Sequence, residues 1–128
     1  MKNHDIFLCP EGRYTAILEA ADEPNKRINR PCKEQVRLRF RVTTTDGIEY
    51  LVGKTYCADL CYGTELYNDL ETWIDGNFED FLNDDGEIDL DLFLNKKADV
   101  LITHFVDGKH EKPFVKIAGI FPPGRLTD

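Results

Sequence analysis

No stretch of about 18 apolar residues occurs in this sequence, which excludes a membrane-spanning helix. The first residues, Met1-Lys2-Asn3-His4-Asp5, lack the apolar core and small-residue cleavage site of a secretion signal, so the chain is expected to be cytoplasmic. There is no Gly-rich phosphate loop, no Gly-x-Ser-x-Gly elbow and no metalloprotease helix, and these absences argue against an enzyme. The four cysteines, Cys9, Cys32, Cys57 and Cys61, are read as reduced thiols in that compartment. Cys57-x-x-x-Cys61 has metal-like spacing, but no second close Cys/His pair completes a four-ligand set. No cofactor or metal is expected.

Lysine and arginine are missing altogether between Thr55 and Asn95, where twelve acidic residues stand. Just upstream the balance reverses. From Lys26 to Lys54 there are eight basic residues against three acidic ones, within a chain whose net charge is −8. This separation is the most informative compositional feature of the chain. Hydrophobic residues make up 41% and charged residues 31% of the 128 positions, a balance that builds one core in one domain over residues 1–128. Residues 1–10 and 125–128 read as flexible ends.

Alternation carries the strand signals. Arg13 to Ala21 places Tyr14, Ala16, Leu18 and Ala20 on one face. Glu34 to Thr44 sets Val36, Leu38, Phe40 and Val42 against Gln35, Arg37, Arg39 and Arg41. Asp46-Gly47 is a hairpin signal, and Ile48 to Tyr56 resumes as a third strand with Ile48, Tyr50 and Val52 inward. The period then changes to that of a helix. Leu66, Leu70, Trp73 and Ile74 form one apolar stripe, with Thr64 as N-cap and Gly76 at the end. A further turn is expected at Phe78 to Leu82 and another at Asp89 to Leu94. Lys97 to Val106 and Lys112 to Phe121 complete the strands, joined through Asp107-Gly108.

Three strands, a helix and a hairpin give a mostly β fold: a five-stranded OB-type barrel with one helix between strands 3 and 4, plugging its base. A plain α+β sheet covered by one helix has the same order and competes with it.

Several segments resemble small phage and prophage proteins. They are the opening Glu11-Gly12-Arg13-Tyr14-Thr15-Ala16, the Val36-x-Leu38-x-Phe40-x-Val42 strand, the Leu70-x-x-Trp73 helix, the Gly86-Glu87-Ile88-Asp89-Leu90 run, and Pro113-Phe114-Val115-Lys116-Ile117 through Pro122-Pro123. The resemblance spans about residues 11 to 124, and its motifs are structural. It implies an OB-like fold and a role in replication or recombination on single-stranded DNA.

The Arg37, Arg39, Arg41 row stands outward if its apolar neighbours point in. Guanidiniums on one strand face repeat about every 6.5–7 Å, close to the phosphate spacing of an extended single strand. In OB folds the outer face of strands 2 and 3, with the 1–2 and 4–5 loops, holds oligonucleotides. Lys26, Arg27, Arg30 and Lys33 fall in the first loop and Lys109 in the second. The alternative is a solvated row paired with the acidic helix of the same chain. Phe105 and Phe114 share an outward face if the 107–108 turn closes a two- or four-residue loop, and they would then stack bases. A three-residue loop reverses that face, and packing beneath the helix competes with it.

The acidic run fails as a calcium loop. Placing Gly86 at the sixth position puts Phe81 first and Leu92 twelfth, where carboxylates are needed. It reads as a solvated acidic surface or, over residues 59–91, as a face for a basic partner protein. The first expectation is thus a non-catalytic single-stranded nucleic-acid-binding protein. The second is an acidic interaction module or phage accessory or inhibitor protein.

Overall fold

The structure, a computed structural model, describes residues 9–22, 35–58, 62–105 and 114–124. Five strands appear: β1 (Gly12–Asp22), β2 (Gln35–Thr43), β3 (Glu49–Cys57), β4 (Lys97–Phe105) and β5 (Phe114–Phe121). One helix, α1 (Glu65–Trp73), follows β3, and two short 3-10 turns cover Glu79–Phe81 and Leu90–Phe93. The sheet is antiparallel throughout in the order β3-β2-β1-β4-β5. The two edge strands, β3 and β5, come into contact with each other, while no ladder joins them among the described residues. The helix packs on both of these edges, so it covers the core where the sheet is open.

Alternation holds best in β2. Val36, Leu38, Phe40 and Val42 are buried, while the three arginines between them are partly or fully exposed. The turn to β3 is closed as its residues dictate. Thr44 Oγ donates to the Asp46 carboxylate, Gly47 N donates to Thr44 O, and Gly47 takes a left-handed φ of 85°.

In β1 the alternation breaks at a bulge. Leu18 pairs with Phe40, but Ala20 pairs with Arg39, leaving Glu19 as the extra residue. Ala20, expected inside, therefore shares the outer face with Arg39, and Ala21 turns toward the core instead. A second bulge between Leu101 and Ile102 does the same in β5, whose buried residues are Ile117 and then Ile120. Ile48, expected inward on the third strand, is 48% exposed and lies just before β3, directly after Gly47.

The helix follows from its stripe. Leu66, Leu70 and Trp73 are buried, and Thr64 caps the N-terminus by accepting from Tyr67 N. It ends at Ile74, because Asp75 (φ 56°) and Gly76 (φ 80°) both turn left-handed. Trp73 anchors the core. Its ring meets Phe40 edge-on at 5.5 Å and Phe93 at 5.2 Å, and its Nε1 donates to Lys97 O at 2.8 Å. Phe93 stacks in turn on Phe81 at 4.3 Å, which ties the two 3-10 turns together.

Candidate nucleic-acid interface

The outer face of β2 begins with Arg37 opposite Thr55, continues with Arg39 opposite Gly53, and ends with Arg41 opposite Leu51. The row is open to solvent, yet two of its charges are already answered. Arg39 Nη2 binds Asp22 Oδ2 at 2.7 Å, and Arg41 Nη1 lies 4.0 Å from Glu19 Oε1. The partners thus come from β1 and not from the acidic helix. The bulge at Glu19 brings these carboxylates alongside the row. Arg37 makes no ion pair among the described residues, and its guanidinium lies across Gly53 of β3.

Phe105 and Phe114 are direct cross-strand partners at the ends of β4 and β5, so they share one face. Both are exposed, at 44% and 45%, with ring centroids 5.3 Å apart and planes at 66°. Lys116, two residues along β5, holds its ammonium 5.5 Å from the Phe105 centroid. These aromatics are therefore not packed beneath the helix. They line a groove of about 380 Å³ that runs between the edge strands, bounded by Gly53, Lys54 and Thr55 on one side and Phe114 to Ile117 on the other. A neighbouring cavity of about 250 Å³ reaches Arg37, Tyr50 and Leu51 and shares Gly53 and Val115 with the groove.

Two features of this region carry no signal in strand alternation. Lys54 sits on the inner face of β3, opposite Leu38, where an apolar residue is the rule. It reaches into the base of the groove and binds Asp69 at 2.8 Å and Glu65 at 3.3 Å, both from α1. Tyr56, fully buried, donates its hydroxyl to the same Asp69 oxygen at 2.7 Å. Burial, and then the Asp69 carboxylate, push the Tyr56 phenol far above its ordinary range, so it stays protonated as a donor. The cluster pins α1 to β3. Asp99 is buried on β4, where it accepts from Thr15 Oγ at 3.4 Å. A period-2 reading would place its carboxylate in water.

Of the other expected contacts, Lys26, Arg27, Arg30, Lys33 and Lys109 lie outside the described residues. So do Cys32, Cys61 and the turn at 107–108. The expectation of four reduced thiols is corrected at one position: Cys57 is disulfide-bonded, to a partner outside the described residues. Spacing alone does not separate a packed thiol from a bridged one. Cys9 is free and buried, and burial pushes its thiol up against the lowering effect of a hydrogen bond with Tyr14. No group of His, Cys, Asp or Glu that could hold a metal occurs among the described residues. No family model, no curated protein and no solved structure matches the chain.

Proposed function

We propose that this chain binds single-stranded nucleic acid without catalysis, along the outer face of β2 and β3 and into the groove between β3 and β5. The observation that carries the reading is the exposed Phe105–Phe114 pair with Lys116 against it, set in a groove beside the cavity that Arg37 lines. Single-strand sites combine aromatic platforms, which accept any base, with cations that follow the backbone. Both are present in two neighbouring cavities that share Gly53 and Val115. Arg37 and Lys116 are the contacts expected to meet phosphate. Arg39 and Arg41 contribute less than a bare row would, because Asp22 and Glu19 screen them. Lys26, Arg27, Arg30, Lys33 and Lys109 would extend the same face.

The strand order and the contact between the edge strands support the OB-type barrel as the architecture of this site. The resemblance of residues 11 to 124 to small phage replication and recombination proteins rests on structural motifs and supports the fold more than the ligand. Fluorescence anisotropy with a short labelled oligothymidylate tests the proposal. Binding at low salt that weakens on adding salt, and that is lost in Phe105→Ala/Phe114→Ala, is the expected result. Absence of binding at low salt, where the electrostatic contribution is greatest, would sink it.

A further inference from the structure

In the acidic half of the charge divide, three aromatic rings form a row, one on α1 and one on either side of it in the chain. Tyr62, just before α1, is 84% exposed. Its ring meets Tyr67 edge-on at 5.4 Å, and Tyr67 stacks on Phe78 at 5.0 Å with planes 30° apart. Phe78 packs against the core, so the row is anchored at one end and open at the other. Rings held this way lose little freedom on binding a partner, and exposed tyrosines of this kind are a common interface device. Core packing does not account for Tyr62.

The surroundings decide what fits. Glu71 follows Tyr67 by one helical turn, and Glu79 follows Phe78 directly. Among the described residues, neither they nor Asp75 forms an ion pair with lysine or arginine. No such residue exists between Thr55 and Asn95 to supply one locally. Ring faces attract cations through their quadrupoles, and planar guanidiniums both stack on them and pair with carboxylates. The same segment already shows the interaction within the chain, where Lys96 places its ammonium 5.5 Å from the Phe81 centroid.

We infer that the Tyr62–Tyr67–Phe78 row, flanked by Glu71 and Glu79, is a docking surface for an arginine-bearing segment of a partner protein. None of these three rings lines the groove, and the inference stands or falls apart from the nucleic-acid reading.

The test uses the full chain and two synthetic peptides of equal length and charge, one alternating arginine with glycine and one alternating lysine with glycine. Ring-proton shifts of Tyr62, Tyr67 and Phe78 and the affinities are measured at moderate salt. The arginine peptide should bind more tightly and move all three rings. Tyr62→Ala/Tyr67→Ala should weaken it at least about fivefold and erase the preference over lysine. Circular dichroism of the variant should be unchanged, as should its retention of an oligothymidylate if the wild-type chain binds one. Rings that stay unmoved, or peptides that bind the variant as well as the wild-type chain, would overturn the inference and leave only a diffuse acidic field.

Discussion

The guanidinium of Arg37 lies over the bare backbone of Gly53 on the neighbouring strand, so close that a Cβ there would stand 2.6 Å from Arg37 Nε. Gly53 also lines both neighbouring cavities. The small residue thus lets Arg37, which has no ion pair among the described residues, lie beside the aromatic groove. Gly53→Val should push Arg37 aside and narrow the junction, lowering single-strand affinity as much as Arg37→Ala does. Because the position faces outward, the thermal midpoint should barely move. A Gly53→Val variant with wild-type affinity would show that the two cavities do not act together.

Salt dependence separates the arginines. Each phosphate neutralised on a single strand adds about −0.7 to the slope of log-affinity against log-salt, so Arg37 and Lys116 together contribute about −1.4 of it. Arg37→Ala should reduce that slope by about 0.7. Arg39→Ala should leave it unchanged, since Asp22 already holds that guanidinium at 2.7 Å. Equal losses for both variants would mean that the ligand displaces Asp22.

The order of elements along the chain, the helix with its Thr64 cap and the inward face of β2 follow from sequence patterning because each rests on local periodicity. What patterning misses depends on neighbours distant in the chain. The bulge at Glu19 reassigns Ala20 and Ala21, and nothing in the residues around it marks the slip. The screening of Arg39 by Asp22 depends on that bulge, so the charge of the row was not evident from β2 alone. Lys54 breaks the alternation of β3, a departure explained only once α1 presents Asp69 to it. Phe105 and Phe114 could be assigned to one face only by choosing a loop length. Their direct pairing settles the face.

Trp73 tests the helix. With its ring between Phe40 and Phe93 and its indole hydrogen-bonded, Trp73→Ala should cost about 3–5 kcal/mol, read as a large fall in the denaturation midpoint. Trp73→Phe should recover much of the packing but not the bond to Lys97 O. An unchanged midpoint in Trp73→Ala would mean that α1 does not hold the core.

The Cys57 bridge tests the compartment expectation. Thiol titration of the chain unfolded without reductant should find two fewer thiols than the four found after reduction. Reduction should also lower the melting temperature, because the bridge restricts the unfolded chain. Four reactive thiols in the unreduced protein would restore the reading of the cysteines as simple packed side chains.

Tyr56 predicts an alkaline limit to stability. Its phenol is raised in the folded chain, first by burial and then by Asp69. In the unfolded chain it titrates near pH 10, the ordinary value for tyrosine. Below that pH both states hold the proton, and the contribution of Tyr56 is fully present. Above it the unfolded chain releases the proton while the folded one keeps it, so stability falls as pH rises. Tyr56→Phe removes this dependence. At neutral pH the same change loses a charge-assisted hydrogen bond to Asp69 Oδ2, a cost of about 1.5–3 kcal/mol. Urea midpoints of the two proteins, compared from neutral pH to pH 11, should therefore converge as the solution becomes alkaline. Parallel curves would place the alkaline loss at other groups, with Tyr14 and Cys9, both also raised by burial, the next to substitute.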